Sequence, residues 1–210
     1  MRKFILIIFI CMMCWSSAFG QVEEYIGEFA FKPEIFITVG PSFPMRDVNF
    51  SENWNMGINI GAGVGFQLTE QLALAGSFDY NHFPFDDAHF SKLHPTELLV
   101  SGPVAKIMNF DLRLKFHFPS EDSKISPYIT GGGGLFRMTS DELVWIDQIG
   151  QERATDPVNE TVMCGLGGAG FEYQHSENIC IFLEGLYNTG FTERNSTQII
   201  QIKLGFKYKR

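Results

Sequence analysis

The chain has 210 residues and a formal net charge of −8, with 21 glycines and 21 phenylalanines. An acidic balance of this size argues against a nucleic-acid partner, which requires a basic surface. Glycine and phenylalanine in these numbers are unusual for a soluble domain, and aromatic residues favour strands. No long apolar run follows residue 20, so any passage through a membrane must be made by strands.

The first 20 residues have the pattern of a secretory signal peptide. Arg2 and Lys3 form a positive start, residues 4–15 are apolar, and Ala18 to Gly20 offers small residues where a signal peptidase reads the chain. We therefore expect cleavage before Gln21, which leaves a mature chain with a net charge of −10. The alternative is an anchoring helix, but the apolar stretch is shorter than the roughly 20 residues that a span requires.

Eight segments of the mature chain have the character of strands, most of them with apolar and polar residues in alternation, the period of two that is typical of a strand with two different faces. The clearest runs from Met108 to Phe118, where every second residue is apolar and the residues between are polar or charged. The longest segments reach about ten residues, the length that crosses a bilayer at a tilt. In chain order the eight segments are 34–40, 56–68, 72–81, 108–118, 127–138, 162–173, 179–187 and 200–209.

The connections between these segments alternate between short and long. Short polar turns occupy residues 69–71, 119–126 and 174–178. Longer connections, here called loops one to four, occupy residues 41–55, 83–105, 139–161 and 188–195. Transmembrane barrels have short turns on the periplasmic side and long loops outside, so both chain ends are predicted on the short-turn side. The predicted fold is all-β: an eight-stranded antiparallel up-and-down transmembrane β-barrel over residues 34–210, after a periplasmic segment over residues 21–33.

The polar faces of the strands predict what fills the barrel. Lipid requires apolar residues outside, so glycines, amides and charges must point inwards, and buried charges must pair. We expect a salt-bridged plug in which Glu184 and Lys203, at matching depths on the last two strands, form an ion pair. The alternative, a soluble sheet with these residues in water, agrees less well with the signal peptide and the loop pattern. The residues of the predicted lumen network are Asp79, Asp111, Arg113, Lys115, Arg137, Glu172, Glu184, Lys203 and Lys207.

Two cysteines, Cys164 and Cys180, remain after signal cleavage. Disulfides are common in exported proteins. With a turn near Ser176, however, Cys180 falls opposite the neighbourhood of Glu172, and Cys164 lies about eight residues further along. That is roughly 27 Å, against the ~4.4–6.8 Å that a disulfide allows between Cα atoms. We predict free thiols.

Two segments resemble ligand-binding motifs. Residues 165–170 match the dinucleotide pattern G-x-G-x-x-G, but that pattern requires a helix after the glycines, and here a strand continues. A second group lies around loop two, where imidazoles and carboxylates could bind zinc or copper, but their spacing matches no closed site. We predict no cofactor and no metal. The residues of the second group are His82, His89, His94, Asp86 and Asp87.

Several strands resemble those of the small OmpA/OmpX-like outer-membrane β-barrel proteins, a porin-like family. The resemblance covers roughly residues 34–210 and implies a barrel that is exported through the Sec translocon and inserted into the outer membrane of a Gram-negative-type bacterium by the barrel-assembly machinery. Unlike OmpA, the chain is expected to carry no wall-binding domain after its barrel, and two basic residues follow its last aromatic residue. The segments that carry the resemblance are 126–134, 170–173, 182–187 and 202–208.

A fold of this kind does not by itself reveal a function. We predict a monomer surrounded by outer-membrane lipid, without catalysis, with a structural or surface-recognition role through its long extracellular loops for a ligand still unknown. One alternative is a narrow porin-like channel. The other is a lipid-A-modifying enzyme, for which His117 and Ser120 are the nearest candidate pair. His117 is predicted to point inwards and Ser120 to lie in a turn, so they are poorly placed to act together.

Overall fold

The computed structural model describes residues 33–45, 50, 53–119, 124–191 and 196–209. The predicted signal peptide lies outside these ranges, as does all of the predicted segment 21–33 except Pro33. Among the described residues, no helix has the length and hydropathy that a transmembrane helix requires. The described elements are β1 (Pro33–Met45), β2 (Gly57–Gln67), β3 (Leu72–Phe83), α1 (Asp87–Leu93), β4 (Leu98–Ser101), β5 (Ala105–His117), β6 (Ile125–Ser140), β7 (Val144–Ile146), β8 (Glu152–Ala154), β9 (Val158–Gln174), β10 (Ile179–Phe191) and β11 (Ser196–Lys209).

Eight of these strands close into one antiparallel barrel, in the spatial order β1-β11-β10-β9-β6-β5-β3-β2. Each barrel strand pairs with the next one along the chain, and the first closes on the last, with Glu34 opposite Lys209 and Met45 opposite Gln198. The predicted eight-stranded up-and-down barrel is therefore confirmed.

The strands place their apolar residues on the outside of the barrel. Leu112 is 63% exposed while its neighbour Arg113 is 1% exposed, and Leu204 is 55% exposed while Lys203 is fully buried. Because successive side chains of a strand point to opposite faces, these pairs fix the orientation of β5 and β11. The predicted arrangement, with ions inside and aliphatic residues outside, is confirmed.

Several strands are longer than the apolar alternation predicts. Strand β6 has 16 residues and β9 has 17, and their ladder continues to the pair Ser140 and Val158. These outer ends carry polar residues on both faces, so hydropathy gives no sign of them, but the backbone hydrogen bonds continue. The two strands therefore extend into what the sequence assigned to loop three.

Loops two and three are folded together. Helix α1 begins after Asp86, whose carboxylate accepts a hydrogen bond from the backbone N–H of His89 at 2.9 Å. Strand β4 of loop two pairs with β7 of loop three, which pairs with β8 in a separate three-stranded sheet. The ring of Phe90 in α1 packs against Trp145 in β7, with centroids 6.4 Å apart. We call α1, β4, β7 and β8 the loop platform.

Candidate functional site in the barrel lumen

The lumen collects eight of the nine ionisable residues that the sequence assigned to it. All eight are buried: Asp79, Asp111, Arg113, Lys115, Glu172, Glu184, Lys203 and Lys207.

The prediction for Arg137 is wrong. Tyr128 and Phe136 are the buried residues that set the inward phase of β6, and Arg137 has the opposite parity. Its side chain is exposed on the outer face near the end of the barrel that carries the long connections, where one guanidinium nitrogen donates to the Asn159 side-chain oxygen at 3.4 Å. We call this end the extracellular end and the end with the short turns the periplasmic end, after their predicted orientation. The glycine run from Gly131 to Gly134 has no apolar alternation, so the sequence did not fix the phase beyond it.

Glu184 lies at the centre of the network. Its two carboxylate oxygens contact three side chains from β5 and β6: Arg113 Nη1 at 2.8 Å, the Tyr128 hydroxyl at 2.9 Å and Lys115 Nζ at 3.5 Å. The Tyr128 hydroxyl donates to the carboxylate, and Arg113 also lies 3.6 Å from Asp111. The network therefore links β10 to β5 and β6 across the lumen.

The predicted ion pair between Glu184 and Lys203 does not form. The two residues are opposite each other in the β10–β11 ladder, as predicted from their depth. Lys203 Nζ instead contacts Asp79 Oδ2 at 2.7 Å across the barrel. Asp79 occupies space that Gly61 leaves open, since a Cβ at Gly61 would lie 2.2 Å from Asp79 Oδ1. Depth along the strands predicted the level of each charge, but not which partner it reaches across a narrow lumen.

The periplasmic end of the lumen holds a second group of ions. Lys207 Nζ lies 2.6 Å from Glu172 Oε2 and 3.0 Å from Glu34 Oε2. His117 Nε2 lies 3.5 Å from Glu172, and the Lys115 ammonium stands 4.4 Å from the centre of the Tyr128 ring. Glu34, His117 and Glu172 also line a vestibule of about 510 Å³, together with residues that include Cys180 and Lys209.

The extracellular half of the lumen holds amides instead of ions. The Asn81 side-chain oxygen accepts hydrogen bonds from Asn59 Nδ2 at 3.0 Å and from Gln201 Nε2 at 2.7 Å. The Asn81 amide nitrogen donates to the backbone carbonyl of Ile107 at 3.3 Å. The sequence analysis predicted amides inside the barrel, but its named network included none of these three, because it followed only ionisable residues.

An apolar cluster lies at the extracellular end of the lumen, and we call it the extracellular cluster. Its buried members come from one loop and five barrel strands, and Trp54, Met138 and Val162 pack against them. The sequence predicted an ionic plug only. At the strand ends, the apolar inward residues follow the same alternation as the polar inward residues. That alternation could have identified them in the sequence. The members are Phe50, Phe83, Ala105, Ile107, Phe136, Cys164 and Ile199.

The lumen also contains Glu34, Tyr128 and His117, which the predicted network omitted. Glu34 contacts Lys207 at 3.0 Å and Lys209 at 3.5 Å. Tyr128 follows the inward phase of β6 and His117 that of β5. Parity predicted the inward orientation of His117 and could have identified Tyr128 in the same way, but the predicted network included neither, because it followed charged residues.

The cysteines are free, as predicted. Cys180 is opposite Gln174 and Cys164 is opposite Gly190 in the β9–β10 ladder, so about ten residues, or roughly 34 Å, separate them along the strands. Cys164 belongs to the extracellular cluster, whereas Cys180 lines the periplasmic vestibule.

The motifs that resemble ligand sites have structural positions. Residues 165–170 lie inside β9, which continues to Gln174, so the glycines open no helix. Within the part of the chain that the structure describes, no group of three or more His, Cys, Asp or Glu side chains is arranged to hold a metal ion. His117 points into the lumen as predicted, and Ser120 lies outside the described residues.

The turn between β7 and β8 is ordered by one carboxylate. Asp147 accepts hydrogen bonds from the backbone N–H of Gln151 at 2.9 Å and of Ile149 at 3.1 Å, and its other oxygen contacts Arg153 Nε at 3.0 Å. These contacts, the Gln151 N–H first among them, hold the pKa of Asp147 below its ordinary value. Gly150 takes a left-handed φ of 80°, which glycine adopts at little cost.

No family model matches the chain, and no curated protein matches it. Solved structures do. One is Neisserial surface protein A, at 13% identity and a TM-score of 0.60, over 85% of this chain and 97% of that one. Another is Ail, the attachment invasion locus protein of Yersinia pestis, at 14% identity and a TM-score of 0.51, over 86% of this chain and 99% of that one. Ail was solved alone and in complex with the heparin analogue sucrose octasulfate.

At 13% and 14% identity, the comparison shows the fold alone. The strand count, the closed order of the sheet and the outward apolar residues agree with it. The chain therefore has the fold of the small eight-stranded outer-membrane β-barrel proteins, in keeping with an OmpA/OmpX-like barrel.

Proposed function

We propose that the protein is a monomeric integral outer-membrane protein that presents a folded recognition surface outside the cell. The observation that carries this proposal is the loop platform, in which loops two and three share one sheet. Unstructured loops would lose conformational entropy on binding a ligand, whereas a surface that is already ordered loses less. The names of the two structural neighbours, a surface protein and an attachment protein, are in keeping with this role.

The outer face of the barrel supports residence in a membrane. Along β5 the outward residues from Phe116 to Met108 are apolar, with Leu114, Leu112 and Phe110 between them. They cover about 27 Å of strand, or about 20 Å across a membrane at a strand tilt near 40°. We infer that the chain reaches the outer membrane of a Gram-negative-type bacterium by Sec-dependent export, cleavage of residues 1–20 and insertion by the barrel-assembly machinery.

The contents of the lumen support a closed barrel over the porin-like alternative. The extracellular cluster includes the rings of Phe83 and Phe136, both fully buried. Below it, Arg113 and Glu184 meet across the barrel at 2.8 Å. Two successive barriers of different chemistry support a lumen that does not conduct ions.

The position of His117 supports a role without catalysis. In a lipid-modifying barrel, the base must reach a substrate in the membrane. His117 is buried inside the lumen and lies 3.5 Å from Glu172. A lipid ester outside the barrel is beyond its reach.

The proposal is tested by inserting an epitope tag at one of two turns. A tag after Gly150, in the β7–β8 turn of the loop platform, is expected to bind antibody on intact cells. The same tag after Glu177, in the turn before β10, is expected to bind only after the outer membrane is permeabilised. Unboiled protein should also migrate differently from boiled protein in SDS, and planar bilayers should show no steady conductance. Labelling of both tags on intact cells, or of neither, would contradict the proposed orientation.

A further inference from the structure

Three basic residues lie together on the outer face of the barrel at its extracellular end. His82 in β3 is directly opposite Lys106 in β5, and Lys106 is opposite Thr139 in β6. Arg137 lies two residues before Thr139 on the same face of β6. We call His82, Lys106 and Arg137 the cationic rim.

The charges of the cationic rim are not used inside the protein. Within the described residues, none of the three side chains forms an ion pair. Arg137 contacts only a neutral group, the Asn159 side-chain oxygen at 3.4 Å, and that contact leaves other guanidinium N–H groups to bind a ligand. Two cations and an imidazole with no acidic partner predict an anionic ligand.

A shallow depression lies on the same strands, closer to the middle of the apolar band. Its volume is about 470 Å³. It forms because Gly76 and Gly133 have no side chain among bulky outward neighbours, which leaves a gap that an acyl chain can fill. Residues of β2 also line it, and its outward residues on β3, β5 and β6 are Gly76, Phe78, Phe110, Leu112, Gly133 and Leu135.

The distance between the two features suits one lipid molecule. Along β3, Gly76 is six residues from His82, about 20 Å, and along β6, Gly133 is four residues from Arg137, about 14 Å. A head group at the rim would place its acyl chains over the depression. The apolar band ends at Met108 and Tyr80, next to the rim, which is the level at which lipid head groups begin.

A neighbouring part of the barrel wall provides an internal comparison. A larger depression of about 810 Å³ lies there, lined by residues that include Ile37, Ile60 and Leu204, and it shares Ala62 and Phe78 with the first depression. No described residue of β5 or β6 lines it, and Phe43 and Ile200, which lie above it on β1 and β11, carry no charge. Lys106 and Arg137 therefore lie above the smaller depression and not above the larger one.

We propose that the cationic rim and the depression below it form a binding site for a phosphate-bearing lipid of the outer leaflet. Arg137 and Lys106 bind the phosphate, His82 donates a hydrogen bond to it, and one acyl chain occupies the depression beside Gly76 and Gly133. Arginine in particular matches phosphate oxygens with two parallel N–H donors. The site rests on the proposed outer-membrane location, which supplies the ligand.

The test uses the folded protein in phosphocholine vesicles doped with a fluorescent diphosphoryl lipid A. Binding is expected to be saturable. The double variant Lys106→Gln/Arg137→Gln should weaken it about tenfold or more, since each basic residue near a lipid surface contributes to anion binding. The control Lys92→Gln/Arg153→Gln removes the same charge from the loop platform and should leave the affinity within about twofold. An equal loss in both double variants would overturn the site in favour of general electrostatic attraction.

The depression is tested by filling it. Gly76→Leu points outwards, and its Cβ meets only the Leu112 Cδ2 atom at 3.4 Å and a backbone oxygen at 3.9 Å, so the barrel can accept it. Gly131→Leu is the matched control, since its Cβ meets nothing closer than 3.8 Å and it lies outside the depression. Gly76→Leu should weaken binding about fivefold and Gly131→Leu should not. Equal affinities in the two variants would remove the acyl-chain part of the proposal.

Two further measurements separate the sources of failure. Inorganic phosphate at millimolar concentration should compete poorly, because it lacks the acyl chain; full displacement by free phosphate would overturn a lipid site. Each variant is also run unboiled in SDS. Normal heat-modifiability and normal surface labelling without saturable lipid binding would reject this site while leaving the outer-membrane proposal intact.

Discussion

The two halves of the lumen are filled by different chemistry, although the same strands build both. The periplasmic half holds ions around Glu172 and Glu184, beside a vestibule of about 510 Å³. The extracellular half holds the amides around Asn81 and then the extracellular cluster. In the periplasmic half the buried rings of Phe36 and Phe182 lie among ions, with the Lys115 ammonium 4.8 Å from the Phe182 ring, whereas the described members of the extracellular cluster include no Asp, Glu, Lys or Arg.

This difference reflects the cost of burying charge. An ion in a low-dielectric interior requires a partner in good geometry, and its remaining hydrogen bonds must also be satisfied. Beside the vestibule, water can supply what the protein does not. At the extracellular end rings and aliphatic side chains exclude water, so an apolar filling is the less costly way to close the barrel. The comparison predicts that substitutions in the two halves lower the free energy of unfolding by different amounts. It also predicts that different second substitutions restore it.

The largest effect is expected at the ionic centre. Arg113→Met leaves Glu184 without its shortest ion pair, and breaking one partner of a buried pair costs about 3–5 kcal/mol. The measurement is the free energy of unfolding by urea in lipid vesicles. The control is Arg153→Met, which breaks an exposed pair with Asp147 at 3.0 Å and should change the free energy of unfolding far less.

A second variant shows whether the charge or the packing is responsible. Arg113→Met/Glu184→Met removes both ions, and part of the lost stability should return because Glu184 no longer remains as a buried charge without Arg113. The recovery should be incomplete, since Asp111 loses its contact with Arg113 and, among the described side chains, keeps only the hydrogen bond from Ser77. If the double variant is as unstable as the sum of the two single ones, the pair contributes through packing, and the ionic description of this half is wrong.

Sequence reasoning predicted the fold because the fold depends on patterns that are local. The alternation from Met108 to Phe118 gives a strand, its faces and its inward charges at once. The alternation was less informative for β6. Gly131 to Gly134 have no side chains, so the alternation stops there and the face on which Arg137 lies was predicted wrongly. The outer ends of β6 and β9 were missed for the same reason, since polar residues on both faces carry no alternation.

The next effect is expected in the extracellular cluster. Ile199 is fully buried there, and Ile199→Ala should cost about 2–5 kcal/mol through lost contacts and the cavity left behind. The control Ile202→Ala removes the same atoms from the outer face, where lipid fills the gap, and should cost much less. Urea unfolding compares the two. Equal costs would mean that the cluster is loosely packed and does not seal the barrel.

Conductance measurements also test whether the extracellular cluster closes the barrel. The cavity left by Ile199→Ala is apolar and should stay dry, so the variant should conduct no more than the parent protein. Arg113→Met should also remain closed, because the extracellular cluster is untouched. Steady conductance in Arg113→Met alone would place the main barrier among the ions instead.

A smaller effect is expected among the amides between these regions. Asn81→Leu leaves the donors of Asn59 and Gln201 without their acceptor, which should cost about 1–3 kcal/mol in urea unfolding. Asn109 is a matched control. It is equally buried on the neighbouring strand, and neither of its side-chain polar atoms has a hydrogen-bond partner among the described residues. Asn109→Leu should therefore be near neutral or stabilising, and a loss as large as that of Asn81→Leu would contradict the amide network.

The partners in the site were harder to predict than its members. Parity assigns a residue to the lumen, but a long side chain can reach several walls, so Lys203 contacts Asp79 although Glu184 faces it in the ladder. The loop platform was beyond pattern reasoning as well. Strands of three or four residues such as β7 and β4 are too short to show a period, and their pairing joins segments more than 40 residues apart.

The smallest effect is expected when acid acts on the loop platform. It tests whether the extracellular cluster or the loops close the barrel to ions. The pKa of Asp147 is lowered in the folded chain, so its contribution is present above the ordinary carboxyl value of 3.8 and is lost as pH falls through the lower folded value. Below that pH the Gln151 and Ile149 N–H groups lose their acceptor, and their NMR shifts should move towards those of Asp147→Asn. The extracellular cluster contains no carboxylate, so a seal made by the cluster keeps the barrel closed to ions while the turn loosens. Conductance that rises along with the Gln151 shift would assign the seal to the loops.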